Sequence, residues 1–176
     1  VEVGKYTNGD TYTNGFPSST VNLADQEDGL GDNYCFENTF YTYDKADPDF
    51  YTETGLDPLE YRQSFLAGKL SKSWTDKPYT NTSWYSYDEQ GRTLWMVQKI
   101  DGLGGVKTVN YTYDTKGNVH QVIYQKEEAE EVFYHKYHYD ADNRLSEVYT
   151  STDNRNWATE AKYEYYLHGP LKRVEL

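Results

Sequence analysis

Several residue types that often mark a chemical function are scarce in this sequence. Cys35 is the single cysteine, so no disulfide can form within the chain and no cysteine-based zinc site is present. No apolar run approaches the ~20 residues that a transmembrane helix requires. A basic segment followed by an apolar one, the pattern of a secretory signal peptide, is also missing. We therefore expect no disulfide framework and no membrane insertion of these residues.

Basic residues are scarce as well. Lysine and arginine together number 17 against 29 aspartates and glutamates, which gives a net charge of −12 at pH 7. A surface that follows nucleic-acid phosphates has to be basic, and anionic membranes repel an acidic protein. The composition therefore predicts no nucleic-acid partner.

The aliphatic content is low, but the aromatic content is high. Hydrophobic residues make up 36% of the chain, and they include 20 tyrosines, four tryptophans and six phenylalanines. Each aromatic side chain can bury ~150–250 Å², and aromatic residues favour strands. The composition therefore predicts an all-β protein whose apolar surface is mostly aromatic.

A signature of Tyr-x-Tyr-Asp-x-x-Gly recurs in the second half of the chain at a constant interval of 26 residues. Self-similarity at a fixed period indicates a repeat architecture. The last copy is degenerate, with Tyr166 in the Asp position and Pro170 after its glycine. The repeat-defining residues are Tyr85, Tyr87, Asp88 and Gly91; Tyr111, Tyr113, Asp114 and Gly117; Tyr137, Tyr139, Asp140 and Asn143; and Tyr163, Tyr165 and Gly169.

Each signature predicts a strand that runs into a tight turn. The two tyrosines of one copy fall on the same face of a strand. The aspartate can accept hydrogen bonds from backbone N–H groups just ahead of it. The glycine fits either the last position of a type I turn or the left-handed residue of a three-residue hairpin loop with a bulge. Asn143 fits the same position, because asparagine tolerates positive φ.

The links between units, around residues 101–105, 127–131 and 152–156, are short and polar or glycine-rich. They are too short for a crossover helix, so neighbouring strands should be antiparallel. The fold class is therefore predicted as an all-β antiparallel meander of hairpins that forms a curved sheet, with residues 81–176 as the repeat domain.

The signature resembles the YD repeat of Rhs proteins, of insecticidal toxin-complex shell subunits and of teneurins. The residues that carry the resemblance lie in 85–92, 111–118 and 137–145, and the degenerate copy extends it over about residues 84–176. The segment 165–176 is similar to the lead-in to further repeats in Rhs-type proteins of Bacteroidetes. Since the chain begins without methionine and stops inside a repeat, we expect a fragment of a longer bacterial repeat protein.

The resemblance implies a structural function rather than an enzyme. In such families the repeats form a spiralling sheet that encloses a polymorphic toxin, or an adhesive barrel. The implied partners are the remainder of the parent protein, an enclosed C-terminal toxin or effector and components of a secretion machinery. The implied location is secreted or on the bacterial cell surface.

Residues 1–80 are predicted as an irregular β and loop segment. Residues 5–16 contain two Asn-Gly turn signals and indicate short β-structure, and residues 17–34 should form a loop. Tyr41-Thr42-Tyr43-Asp44 is a further copy of the signature, out of the 26-residue register, with an insertion behind it. That insertion is predicted to contain one short helix over residues 57–66, with Pro58 in its first turn.

No catalytic or metal-binding residue is predicted, and no cofactor. The repeat aspartates are expected to form turns, and Asp57-Pro58 lacks the glycine of the self-cleaving Asp-Pro-x-Gly site that Rhs-type shells contain. Neither acidic loop has calcium-loop spacing, and His135 and His138 fall on opposite faces of one strand. The acidic loops weighed for calcium are Asp25, Glu27, Asp28, Asp32 and Asn33, and Asp44, Asp47, Asp49 and Glu53.

The tryptophans supply the main alternative function, a carbohydrate- or receptor-binding adhesion module. Trp74, Trp84, Trp95 and Trp157 could stack on sugar rings or pack against a protein partner. In the other interpretation they pack against neighbouring strands within the sheet. Exposure to solvent would favour glycan binding, and burial would favour a scaffold.

Overall fold

The structure is a computed structural model in which nearly all regular elements are strands. It describes the backbone of residues 3–6, 12–13, 16–17 and 35–38, and residues 39–75 and 80–176 with their side chains. The early strands are β1 (Val3–Tyr6), β2 (Tyr12–Thr13), β3 (Phe16–Pro17) and β4 (Cys35–Tyr43), followed by the helix α1 (Phe50–Thr54). The later strands are β5 (Leu70–Thr75), β6 (Thr82–Tyr87), β7 (Thr93–Lys99), β8 (Lys107–Tyr113), β9 (Val119–Tyr124), β10 (Phe133–Tyr139), β11 (Leu145–Ser151), β12 (Ala158–Tyr165) and β13 (Leu171–Glu175).

The strands form one meander. The sheet order is β1-β4-β5-β6-β7-β8-β9-β10-β11-β12-β13, so β4 to β13 follow one another in sequence order and β1 pairs with β4. The pairs β4–β5, β5–β6, β8–β9, β9–β10, β10–β11, β11–β12 and β12–β13 are all antiparallel. The order has two ends among the described strands and does not close. The predicted all-β antiparallel meander is therefore confirmed.

The chain divides into two compact units. Unit 1 comprises Val1–Tyr85 and Gln98–Val106, and unit 2 comprises Ser86–Val97 and Lys107–Leu176. In unit 1 the residues between β4 and β5 cover a core of Phe50, Tyr61 and Trp84, each at most 1% exposed. In the described residues of both units, no helix is long and apolar enough to cross a bilayer.

Unit 2 is built from strands of the sheet, and its most buried side chains, each at most 1% exposed, are Ser86 on β6 and Trp95 and Val97 on β7. Val122 and Ala161 are 5% and 4% exposed, whereas most residues of β10 and β11 are half-buried. Strand register gives its two faces different characters. Tyr111, Val122 and His135 lie opposite one another across β8, β9 and β10 on one face, and these same strands place Gln121 and Lys136 on the other.

The helix predicted over residues 57–66 is wrong, because the helix of this region is α1. Its first residue, Phe50, is buried against the edge of Trp84, with ring centroids 5.6 Å apart, and Gly55 ends it in the left-handed region at φ 71°. At Asp57 one turn forms, closed by the N–H of Tyr61. It does not continue because Tyr61 and Gln63, two residues apart, are both buried, a spacing that an extended chain satisfies and a helix does not.

The insertion predicted behind Tyr41-Thr42-Tyr43-Asp44 is confirmed. Thr42 pairs with Lys72 and Tyr43 with Leu70, with a bulge between these two pairs. The N–H of Asp44 donates to the carbonyl of Lys69. The same hairpin closure is therefore made across the whole insertion.

Short β-structure was predicted over residues 5–16, and strands β2 and β3 pair on either side of residues 14–15. Pro17, the first residue of the predicted loop over residues 17–34, belongs to β3. Both Asn-Gly pairs, the remainder of that loop and the first acidic set lie outside the described residues.

Candidate functional site

The repeated feature of the structure is a row of four corners, defined as Asp88–Arg92, Asp114–Asn118, Asp140–Arg144 and Tyr166–Pro170. In each corner the N–H of the first residue donates to the carbonyl of the last, at 2.9 Å in all four. The N–H of the Gly or Asn position donates to the carbonyl of the first residue, at 2.9 to 3.1 Å. One backbone geometry thus recurs at the predicted interval of 26 residues.

The left-handed position of each corner explains its residue type. Gly91, Gly117, Asn143 and Gly169 have φ of 78°, 94°, 66° and 112°. A side chain is strained in this region, although asparagine tolerates it better than most. The register also shifts between Thr112 and Tyr113 where β8 meets β9. Of the two turns weighed from the sequence, the three-residue loop with a bulge matches this geometry.

The corner aspartates accept the hydrogen bonds that were predicted for them. Oδ1 of Asp114 accepts the N–H groups of Lys116 and Asn118 at 2.9 and 2.8 Å. Asp88 accepts the N–H groups of the second and fourth residues after it at 3.0 and 2.9 Å, and Asp140 does the same at the same distances. These carboxylates hold their own turns together.

The residue after the Gly or Asn position donates a further hydrogen bond to the corner carboxylate. Nε of Arg92 lies 2.6 Å from Oδ2 of Asp88, and Nε of Arg144 lies 2.8 Å from Oδ2 of Asp140. Burial works against ionisation of Asp88, but the backbone and side-chain hydrogen bonds from Arg92 lower its pKa. Hydrogen bonds from Arg144 lower the pKa of Asp140. The carboxylates therefore stay ionised.

A tyrosine hydroxyl connects each of the last three corners to the repeat before it, an arrangement we call the tyrosine lock. The hydroxyls of Tyr113, Tyr139 and Tyr165 donate to the carbonyls of Thr93, Val119 and Leu145 at 2.7, 2.9 and 2.8 Å. Each donor lies 20 residues after its acceptor. These are the second tyrosines of the signature, and each acceptor is the first residue of a strand that leaves a corner.

The strands of neighbouring repeats stop pairing before they reach the corners. The lock therefore supplies a hydrogen bond that the strand ladder does not make. The β9–β10 ladder ends at Gln121 and Lys136, so Val119 lies beyond its last pair. A backbone carbonyl without a partner is costly when it is shielded from water. The hydroxyl of Tyr139 supplies that partner, which a phenylalanine could not do.

Arginine side chains make a second contact between neighbouring repeats. The guanidinium carbon of Arg92 lies 4.1 Å from the ring centre of Tyr113, and that of Arg144 lies 4.6 Å from the ring centre of Tyr165. Cation–π contacts of this kind are worth ~0.5–1 kcal/mol at exposed sites. The sequence interpretation missed this role, although arginine recurs at the residue after Gly91 and Asn143.

The second corner, Asp114–Asn118, uses amides instead of a guanidinium. Asn118 donates through Nδ2 to Oδ2 of Asp114 at 3.0 Å. It also forms a reciprocal amide pair with Asn143, at 2.6 and 3.0 Å. Two of the departures from the Gly-Arg pattern, at Asn118 and Asn143, are therefore partners of each other.

The insertion of unit 1 is fixed by a buried polar cluster. Oδ2 of Asp47 lies 2.7 Å from Nζ of Lys72 and accepts a 2.7 Å hydrogen bond from Nε1 of Trp84. Gln63 accepts from the N–H of Asp47 and donates to the carbonyls of Ser71 and Tyr85. Burial opposes the charge of Asp47, but hydrogen bonds from Lys72 and Trp84 lower its pKa. The pair is a charged anchor rather than a proton-transfer group.

The four tryptophans differ in accessibility. Trp84 and Trp95 are 0% and 1% exposed, so neither can stack on a ligand from solvent in this conformation. Trp74 is half-buried and stacks on Phe40, with centroids 5.2 Å apart. Trp157 is half-buried beneath the ammonium of Lys136, which lies 3.6 Å from its ring centre. Stacking on a ligand thus remains open to Trp74 and Trp157.

Other titratable groups do not converge. Among residues 39–75 and 80–176, no three His, Cys, Asp or Glu side chains are placed to hold a metal ion. In the second acidic set, Asp47 and Glu53 contact Lys72, and Oδ1 of Asp44 accepts from the N–H of Gly68. His135 lies opposite Thr150, and its near neighbour His138 lies opposite Glu147 on the other face.

The chain was also compared with known proteins. No family model matches it, and no curated protein matches it.

Proposed function

We propose that this chain is a structural β-repeat segment of an Rhs/YD-type protein, whose hairpins form part of a wall around a C-terminal toxin or effector. The observation that carries the proposal is the tyrosine lock. It recurs at 26-residue intervals and ties each hairpin to the one before it. The aspartates and the second tyrosines of the signature bond within the sheet, which is consistent with a structural repeat that contacts its neighbours. The resemblance of the signature to YD repeats supplies the enclosed cargo and the secreted or surface location.

The whole protein that contains this segment provides the test. Its open reading frame should continue into further copies of the signature and a C-terminal region of different composition. We expect limited proteolysis of the whole protein to spare that region, and cleavage to be faster when the region is expressed alone. A reading frame without such a region, or equal cleavage rates in both settings, would contradict enclosure.

A corner variant sharpens the same experiment. Gly117→Val places a β-branched residue at φ 94° and should weaken the wall, so we expect faster cleavage of the enclosed region. Lys116→Ala, which alters an exposed side chain in the same corner, is the matched control and should leave protection unchanged. Protection that is insensitive to both changes would contradict a wall built from these hairpins.

A carbohydrate-binding adhesion module is the second candidate, and Trp157 is the observation that favours it. Its ring is accessible in part and lies beside Lys136 and Tyr134. A glycan array should reveal a ligand whose binding is lost in Trp157→Ala and kept in Trp74→Ala, or the reverse. A blank array, or equal binding by both variants and the wild type, would eliminate this candidate.

A further inference from the structure

The first tyrosine of each signature has no part in the lock. The hydroxyls of Tyr113, Tyr139 and Tyr165 donate to carbonyls, whereas those of Tyr111, Tyr137 and Tyr163 make no hydrogen bond within the residues whose side chains the structure describes. All three of these side chains are half-buried. A tyrosine therefore recurs at this position although neither the turn nor the tyrosine lock uses its hydroxyl.

One further tyrosine lies next to this row. Tyr124 on β9 lies opposite Val109 on β8, and Tyr111 is two residues beyond Val109 on the same face. Tyr111 and Tyr124 are therefore diagonal neighbours on adjacent antiparallel strands. Such neighbours have Cα atoms ~7–8 Å apart, within reach of two aromatic side chains. Tyr124 is 36% exposed, so one ring of the pair is open to solvent.

The ionisation of Tyr111 is also affected by the phenol of Tyr124. Burial raises the pKa of Tyr111, and the phenol of Tyr124 is the other group that raises it. Burial also raises the pKa of Tyr137, with Tyr124 the next contributor. Tyr124 thus lies among the first tyrosines rather than apart from them.

The next hairpin, formed by β10 and β11, lacks this pair and provides an internal comparison. Tyr137 lies opposite Val148, and Thr150 lies opposite His135. Thr150 therefore occupies the place relative to Tyr137 that Tyr124 occupies relative to Tyr111. A diagonal pair of phenols is present in the hairpin of β8 and β9 and replaced by Tyr–Thr in the hairpin of β10 and β11.

We propose that Tyr111 and Tyr124 form an intramolecular dityrosine cross-link when a haem peroxidase and hydrogen peroxide oxidise the protein. Each phenol loses one electron and one proton to become a phenoxyl radical. The two radicals join through a carbon–carbon bond between the ring positions ortho to the oxygens. The two ring hydrogens then move to the phenolic oxygens, which restores both aromatic rings. Hydrogen peroxide accepts the two electrons and two protons and leaves as two water molecules.

The cross-link would join β8 and β9 covalently. Both residues are accessible in part. The ring of Tyr124 packs edge-on against His135, with ring centroids 5.6 Å apart, so the Tyr124 side chain has to turn towards Tyr111 before the two rings can join. The strands themselves need no rearrangement.

The test is peroxidase treatment of the dilute protein, followed by dityrosine fluorescence and peptide mapping. We expect a monomer that has lost two hydrogen atoms, with the fragments containing Tyr111 and Tyr124 joined. Tyr111→Phe and Tyr124→Phe keep the rings and should each abolish this product. Tyr134→Phe, which alters a tyrosine opposite Ile123 on the other face, should leave the yield unchanged.

A gain of function completes the test. Thr150→Tyr should add a second cross-link, to Tyr137, because it restores the diagonal pair in the next hairpin. Dityrosine that maps to other residues, forms only between molecules, or persists in Tyr111→Phe would overturn the proposal. These outcomes do not depend on whether the protein encloses a cargo.

Discussion

Unit 1 and unit 2 are made of the same antiparallel hairpins but are stabilised in different ways. In unit 1 a long insertion buries Phe50 and Tyr61, packs Phe50 against Trp84 and pairs Asp47 with Lys72, so a compact core contributes to its stability. In unit 2 the most buried large side chains, Trp95 and Val97, lie on one strand, β7. From β8 onward the corners are short, and regularly spaced hydrogen bonds hold the hairpins together. The comparison shows that a repeat can add regularly spaced local contacts to a small core when each hairpin is hydrogen-bonded to its neighbour.

The largest expected effect concerns the core of unit 1. Trp84→Ala removes a fully buried indole and the hydrogen bond to Asp47, so we expect a loss of about 3–5 kcal/mol in unfolding free energy. Urea denaturation followed by circular dichroism measures it. Trp157→Ala, at a half-buried site of unit 2, is the control and should cost clearly less. Equal losses would remove the contrast between a compact core and a thin sheet.

The next effect concerns the corner backbone of unit 2. Gly117 has φ 94°, and a Cβ placed on it would meet Arg92 at an ordinary 3.5 Å. The cost of Gly117→Val is therefore conformational, about 1–3 kcal/mol in unfolding free energy. Gly117→Asn should cost less, since Asn143 holds the equivalent position in the next corner. Denaturation curves in which Val and Asn are equally tolerated would contradict the left-handed requirement.

A smaller loss is expected from the tyrosine lock. Tyr139→Phe removes the hydroxyl that pairs with the carbonyl of Val119, which should cost about 0.5–1.5 kcal/mol in unfolding free energy. Tyr137→Phe makes the same chemical change two residues away, at a tyrosine outside the lock, and should be nearly neutral. If the two variants unfold at the same urea concentration, the lock does not stabilise unit 2.

The smallest effect is a pH dependence of unit 2. The pKa values of Asp88, Asp114 and Asp140 are lowered from an ordinary value of 3.8 in the folded protein. Because the folded state binds these protons less tightly, the carboxylates stabilise it above pH ~4. That stabilisation is lost as the pH falls through the lowered pKa.

Melting temperatures measured from pH 7 downward would detect this effect. Asp140→Asn keeps an oxygen for the corner N–H groups but cannot titrate, so its melting temperature should fall less steeply below pH 4 than that of the wild type. Glu130→Gln, at an exposed link residue, should behave as the wild type does. A steeper fall for Asp140→Asn would reverse the assigned sign.

The corners could be predicted because their causes lie within a few residues. Asp114 bonds groups two and four positions ahead, and Gly117 meets a backbone requirement of its own. Both effects depend only on residues that are close in sequence, and both recur at a fixed interval. The antiparallel meander followed from the same information, since short links leave no other connection.

Contacts between distant residues were not predictable in this way. The tyrosine lock joins residues 20 apart, and it depends on where the ladder between two units ends. The position of α1 was decided by the burial of Phe50 against Trp84 rather than by helix propensity around Pro58. Nor does a strand pattern reveal whether Trp84 or Trp157 will be covered, because the cover of Trp84 comes from the insertion.

The closure of the first hairpin across its insertion has a practical consequence for protein engineering. The N–H of Gly68 bonds to Asp44 although the two are 24 residues apart, and Thr42 and Tyr43 keep the strand pairing of the shorter hairpins. A foreign peptide grafted between Asp114 and Gly117 should therefore leave the flanking strands in place. Such hairpins could serve as display positions, with one epitope carried by each repeat.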